Sequence, residues 1–395
     1  MARIWDRSAD GRTDRRSDAK DAPGISNENS VNFDGTNDYM STGGADTNLA
    51  DKTYTFWAKS SATSATEKNT IFSHGGSHKG GFHFNWSSSR PLLYLGTSYY
   101  RFWQDVASGA QDDGAWHFWT VVVDVSDVTG SLLYVDAVLQ TADTDATTVA
   151  NVQAYEGIQL GRAAVGDNHF TGNIDEFCVF DGHLTAAEIL TLWNNGIPTS
   201  PIGVAPGQLE HWWRMGDDGG SGTFIPDEAS PGLGADVITN GDFDSWTGIQ
   251  IDSWTHHDAN HGGGGGEISQ VGSGEGNGGS GTGSVNFYST GAVSMLLTGA
   301  GGDLTVGDTY KMEIGASRFV SGTLHVNLAT GGVDFVAGDV VGGVITHYFR
   351  ATGYTFFRLN GSGACDYTFD YCRCKKVNGN PGILESGAAI QTDAP

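Results

Sequence analysis

Residues 116–139 read Trp116-His-Phe-Trp-Thr-Val-Val-Val-Asp-Val-Ser-Asp-Val-Thr-Gly-Ser-Leu-Leu-Tyr-Val-Asp-Ala-Val-Leu139. Two apolar runs, 120–125 and 132–139, are rich in β-branched and aromatic residues and flank Asp127-Val-Thr-Gly130. Asp and Gly supply turn chemistry, so the stretch predicts an antiparallel hairpin. The same pattern recurs outward, in Tyr54-Thr-Phe-Trp-Ala58 and Gly81-Phe-His-Phe-Asn-Trp86, each run bounded by Gly, Asp, Asn or Ser. Short strands at such spacing describe an antiparallel sandwich over about Ser30 to Val179.

One helix interrupts the strands, at about 184–195. Thr185-Ala-Ala-Glu188 is a capping box, Ile189, Leu192 and Trp193 fall at helical spacing, and Gly196 and Pro198 end it. After a Pro/Gly-rich linker, Leu209-Glu-His-Trp-Trp-Arg-Met-Gly216 reads as a strand. Composition shifts near Val237, where a second β unit begins, broken by a low-complexity glycine run over 262–283. The expected fold is all-β: two antiparallel jelly-roll sandwiches in series, with one short helix and extended arms at both ends. The expected boundaries are an arm over 1–27, sandwiches over 28–235 and 236–378, and a tail over 379–395.

The 395 residues carry 46 acidic against 21 basic side chains, a net charge of −25. That balance argues against nonspecific binding to nucleic acid or anionic membrane, both of which need a basic surface. No apolar run approaches the roughly 18 residues of a membrane helix, and the chain opens without the apolar stretch of a signal peptide. Four cysteines are too few for a disulfide scaffold. Residues 1–20 hold Arg3, Arg7, Arg12, Arg15, Arg16 and Lys20 against four aspartates, a net of +2, which leaves −27 for the rest. Such an arm reads either as an electrostatic tether to an acidic partner or as a solvated tail.

Three segments of the first unit resemble the laminin-G-like branch of the concanavalin A-like lectin/glucanase jelly rolls. They are Val31-Asn-Phe-Asp-Gly-Thr-Asn-Asp-Tyr39, the hairpin quoted above, and Gly172-Asn-Ile-Asp-Glu-Phe-Cys-Val-Phe180 with its following helix. His211-Trp-Trp-Arg-Met-Gly-Asp-Asp218 looks like a strand often found at the start of such domains, displaced here to the end. The second unit resembles a carbohydrate-binding-module or galactose-binding-like jelly roll, through Asn240-Gly-Asp-Phe-Asp-Ser-Trp246 and Phe369-Asp-Tyr-Cys-Arg-Cys-Lys-Lys-Val377. The pairing is similar to structural proteins of tailed viruses, marine ones in particular. In the second family a structural calcium often bridges first and last strands, which implies Asp244 and Asp370 as its ligands here.

Glucanases on the first fold need two carboxylates on one sheet face, about 5–5.5 Å apart in retaining enzymes. The nearest pattern is Asp175-Glu176, and adjacent strand residues face opposite ways, so the pair does not read as that dyad. No nucleophile elbow, zinc helix or phosphate loop is present, and no catalytic residue is assigned. His256-His-Asp-Ala-Asn-His261 reads as a solvated loop sooner than a transition-metal site. The cysteines read as core thiols, with a Cys365–Cys372 disulfide open if maturation is extracellular. Trp57, Trp116 and Trp119 lie in strong strand patterns and are expected in the core. Trp246 and Trp254 flank a loop and are expected to cover the second sandwich.

Sugars stack on exposed aromatics with polar groups beside them. Six aromatics fall within residues 86–103, more than one strand face buries, so Tyr99, Tyr100, Arg101, Trp103 and Asp105 are the candidate carbohydrate site. Its competing reading is core plus subunit interface.

The expected function is a non-enzymatic virion surface protein, a fibre, spike or capsid decoration. The basic arm would bind other virion proteins, the jelly rolls would meet host glycans, and the assembly would be a homo-oligomer, a trimer in first place. The alternatives are a secreted lectin or adhesin and, less favoured, a polysaccharide depolymerase.

Overall fold

The computed structural model describes residues 25–43, 51–60, 69–74, 80–87, 90–95, 99–103, 106, 109–146, 157–163, 168–217, 223–230, 232–257, 267–272, 283–290, 294–299, 304–328, 331–351 and 357–395. The chain is nearly all β, with one α-helix among the described residues.

The quoted hairpin forms: His117–Val123 pairs antiparallel with Leu132–Val135. Asp127 caps the intervening turn by accepting from the Thr129 amide at 2.9 Å. The second apolar run differs from expectation. Asp136 and Ala137 take φ values of 51° and 61°, so the chain reverses and Val138–Leu139 folds back onto Leu132–Val135. Two consecutive positive φ values make a two-residue hairpin turn of the primed type.

Around that hairpin stands an eight-stranded sheet, from Val138–Leu139 through Lys52–Lys59, Thr171–Asp181 and Ser30–Asp34 to Ala389–Gln391, with Leu209–Trp213 also on Thr171–Asp181. A nine-stranded sheet faces it, running from Ala142–Ala146 through Arg90–Leu95 and Gly80–Ser87 to Tyr39–Thr42, Gly382–Glu385 and Phe224–Ile225. Between them lies a core that includes Phe56, Phe72, Phe82, Trp119, Phe177 and Trp213. The helix Ala186–Trp193 covers the outside of the first sheet, burying Ile189 and Leu192 over Trp57, Phe118 and Trp212. Its capping box is present on both sides, between Thr185 and Glu188.

The C-terminal segment corrects the expected tail. Gly382–Glu385 pairs with Tyr39–Thr42 and with Phe224–Ile225, while Ala389–Gln391 pairs with Ser30–Asp34. The last residues thus supply one strand to each sheet of the first sandwich. It follows that the second β unit is not in series after the first but inserted into it, leaving after Phe224–Ile225 and returning at Gly382.

The inserted unit has an antiparallel sheet of nine strands and a two-stranded ribbon, Trp246–Thr247 with Gln250–Ile251, around its own core of Ile314, Val326, Phe287, Phe369 and Trp254. Two long strands, Thr309–Leu328 and Phe357–Val377, pair along most of their length, and four register shifts in that pairing bend them. Trp254 is buried and Trp246 partly so, as expected of a cover. Trp57 and Trp119 are core. Trp116 is only half-buried: the Lys59 ammonium lies 5.2 Å from its ring, and its indole N–H donates to Asp393 at 3.3 Å. The four cysteines carry buried, unbridged thiols.

The units are braced where they meet. Phe224 stacks on Tyr348 at 3.6 Å, and Arg350 of the insert donates to the Ser41 carbonyl at 3.2 Å and to that of Pro381 at 3.5 Å.

Candidate functional site

Within the aromatic stretch behind the expected sugar site, Phe102 and Trp103 are buried. Trp103 is 1% exposed and packs edge-on to Phe82. Arg101, two residues back on the same strand face, lies 5.9 Å over the Trp103 ring and donates to the Thr129 carbonyl. Phe102, on the other face, is buried beneath Arg90, 4.6 Å above its ring. The side chains of Tyr99 and Tyr100, and all of Asp105, lie outside the described residues. Trp103 therefore presents no stacking face.

Asp370 is buried and accepts the hydroxyls of Ser284 at 2.8 Å and Ser317 at 3.0 Å, while Asp244 is exposed. Of the polar loop, His256 and His257 end the strand Trp254–His257, and the following residues to His261 lie outside the description. Arg3, Arg7, Arg12, Arg15 and Arg16 lie outside it too. The arm's last residues are fixed to the sandwich. Asn27 donates to Asp175 at 3.0 Å, the Ser26 carbonyl accepts from Arg214, and the amides of Glu28 and Asn29 donate to Asp217 at 3.1 and 3.0 Å.

The adjacent carboxylates also differ from expectation. Glu176 has a φ of 47°, and the pairing of its strand with Lys52–Lys59 slips between Asp175 and Cys178. This β-bulge cancels the alternation on which opposite facing depends. As a result Asp175, Glu176 and Asp217 bring carboxylate oxygens within 4.8 Å of one another. All three side chains are buried, and donors already occupy their oxygens. Glu176 accepts from the Trp212 indole at 2.5 Å and Arg214 Nε at 3.1 Å, and Arg214 is also 3.8 Å from Asp217. Burial drives Glu176 up to about 7, against the pull of Arg214, and burial with the Glu176 charge raises Asp175 well above the usual carboxylate range. The guanidinium fills the place of a cation, so these residues suit an internal ionic cluster. Nothing in the sequence flags the bulge, although Arg214 and Asp217 both stand in the displaced segment quoted above.

An open concavity of about 530 Å³ lies between the two units. The strand Leu209–Trp213 supplies Glu210 and His211, the loop before the insert supplies Ser230, and the insert supplies Asp308 and Thr309. The segment returning from the insert supplies Asn380. Each charged group in it has a partner. Buried Lys52 holds Glu210 at 2.7 Å and Asp181 at 3.2 Å, and Lys376 holds Asp308 at 2.8 Å. Asp227 holds His211 Nδ1 at 2.7 Å. Asp227 is itself fixed by the amides of Trp212, Ala229 and Asn380 at 3.0, 3.2 and 2.9 Å. The His211 ring lies on Trp213, 5.2 Å between centroids. Sequence reasoning missed this site because its walls come from segments about 100 to 170 residues apart.

Residues 34–190 match the family of the concanavalin A-like lectin/glucanases superfamily. The first sandwich is similar to that family over those residues, and the strands Leu209–Trp213, Phe224–Ile225, Gly382–Glu385 and Ala389–Gln391 lie outside the match. Among solved structures, the chain is similar to a putative carbohydrate binding protein from Bacteroides ovatus, at 16% identity over 52% of this chain, with a TM-score of 0.39. The match spans only 56% of that protein. It is also similar to the heptameric pentraxin of Limulus polyphemus, at 16% identity over 42% of this chain and 82% of that one, with a TM-score of 0.34. Mouse laminin α1 domains LG4-5 match at 11% identity over 94% and 88%, with a TM-score of 0.31. No curated protein matches the chain.

Proposed function

We propose that this chain is a non-catalytic glycan-binding protein displayed on a virion surface. The observation that carries the non-catalytic part is the state of Asp175 and Glu176. A glycosidase needs two carboxyl groups flanking a bond that a sugar ring can reach. Here the adjacent pair is 0% and 5% exposed, with its oxygens engaged by Arg214, Trp212 and Asn27. The lectin-type match over residues 34–190 supports binding to carbohydrate.

Display on a particle is supported by the charge division between a +2 arm and a −27 body. Arg3, Arg7, Arg12, Arg15 and Arg16 would contact other virion proteins, and a homotrimer would project the β units outward. A structural calcium held by Asp244 and Asp370 belongs to the same reading. Its test is a rise in Tm when millimolar calcium is returned to chelator-treated protein, a rise absent in Asp244→Asn.

A glycan array probed with the full chain tests the binding claim, and mass spectrometry of purified particles tests the display claim. Recovery of the chain in cleared medium and not on particles would replace display with a secreted lectin.

A further inference from the structure

We propose that the groove between the two β units binds a neutral oligosaccharide, through Glu210 and His211 of the first unit and Asp308 of the insert. This rests on the glycan-binding reading above and gives it a location and a ligand class.

The size and preorganisation fit. A cavity of about 530 Å³ lies within the roughly 300–1,000 Å³ in which proteins hold small ligands. Its polar atoms are positioned before any ligand arrives, which lowers the entropy lost on binding. Lys52 fixes Glu210, Lys376 fixes Asp308, and the Asp227 carboxylate with the Trp213 ring fixes His211. Because His211 Nδ1 faces a carboxylate, the neutral ring carries its proton there, and Nε2 is left as an acceptor. Leu209, Val377 and Pro381 provide apolar surface beside these groups, as the C–H faces of a sugar require.

The sign of the charge selects the ligand. Lys52 is shared by Asp181 and Glu210, Lys376 meets Asp308, and Asp227 stands behind His211. Four carboxylates therefore stand around the groove against two ammonium groups and the Arg350 guanidinium, which donates to the carbonyls of Ser41 and Pro381. Hydroxyl groups donate to such acceptors, and hydrogen bonds to a charged acceptor are the stronger kind. A uronate or sulfate would bring a second negative charge to the same place and be repelled. Both units contribute a carboxylate, so the site exists only because the insert is braced against the first sandwich.

The test uses the full chain in calorimetric titrations with cellohexaose, laminarihexaose, xylohexaose and an oligogalacturonate of equal length. Two variants accompany it: Asp308→Arg, which reverses a lining charge, and Ser230→Trp, which fills the groove from an exposed position. The expected result is binding to at least one neutral hexaose and none to the galacturonate. Each variant should bind about tenfold or more weaker, as loss of a charge-assisted hydrogen bond implies, with Tm unchanged. If a neutral hexaose binds both variants as it binds the parent, the groove assignment falls while glycan binding stands. Preference for the galacturonate overturns the ligand class. Binding of none of the four overturns this proposal, and an empty glycan array would then remove the reading beneath it.

Discussion

Glu176 and Arg214 form a buried ion pair at 3.1 Å, with side chains 5% and 7% exposed, at the point where the Thr171–Asp181 strand bulges. Arg214 also reaches Asp217 and the Ser26 carbonyl, so one guanidinium ties the central strand, the displaced segment and the end of the arm together. Removing one partner of such a pair strands the other's charge in the interior. Arg214→Ala should lower the unfolding free energy by about 3–5 kcal/mol. Urea titration measures it; a loss below about 1 kcal/mol would show that the cluster is solvated and unimportant.

The same cluster sets a pH dependence. Glu176 holds its proton up to about 7 in the fold, against an ordinary value of 4.5. A group whose folded pKa is raised stabilises fully below its unfolded pKa and loses that contribution as pH rises through the folded one. Stability should therefore decline as pH rises from about 4.5 to about 7, and decline less in Glu176→Gln. His117 acts in the same direction, its pKa raised by Asp136 and Asp113, but it is common to both proteins. The difference between the two Tm profiles reports Glu176 together with Asp175, whose carboxyl the Glu176 charge helps to raise; parallel profiles would refute the assignment.

Deleting residues 379–395 distinguishes the inserted arrangement from two units in series. The deletion removes an edge strand from one sheet of the first sandwich and an inner strand from the other, exposing Met40 and Ile390's packing site. The truncated chain should lose the cooperative unfolding of the first sandwich, seen by near-ultraviolet circular dichroism. A truncated chain that melts like the parent would mean that the segment is the tail its composition suggests.

Much of this fold was legible because its signals are local. The 120–125 and 132–135 strands announce themselves by apolar runs around Asp127 and Gly130, and the helix by Thr185 and Glu188. The C-terminal strands were not legible: Gly382–Glu385 and Ala389–Gln391 have four and three residues, too few for a period, and their partners lie about 160 and some 340 to 360 positions earlier. Trp103 follows the core side of the competing reading of its stretch. Six aromatics exceed one buried face, but this sheet buries residues on both, with Leu92 and Phe102 covered as well as Trp103 and Leu93. The bulge at Glu176 leaves no mark on hydrophobic period, and the groove needs two units side by side.

The Asp136-Ala137 turn carries a residue poorly suited to it. Ala137 sits at φ 61°, where a β-carbon crowds the backbone and glycine does not. Ala137→Gly should stabilise the protein by about 0.5–1 kcal/mol, the relief exceeding the added freedom of the unfolded chain. Thermal unfolding checks the direction; destabilisation would show that the methyl's packing beside the helix-side core outweighs the strain.

The central claim is that this chain binds carbohydrate without cleaving it. The most direct measurement incubates the full chain with each glycan it retains on an array and follows reducing ends beside bound fraction. The account predicts saturable binding with no reducing ends above the protein-free control, in the parent and in Asp175→Asn alike. Release of reducing ends by the parent, abolished in Asp175→Asn, would contradict it and make the buried pair catalytic.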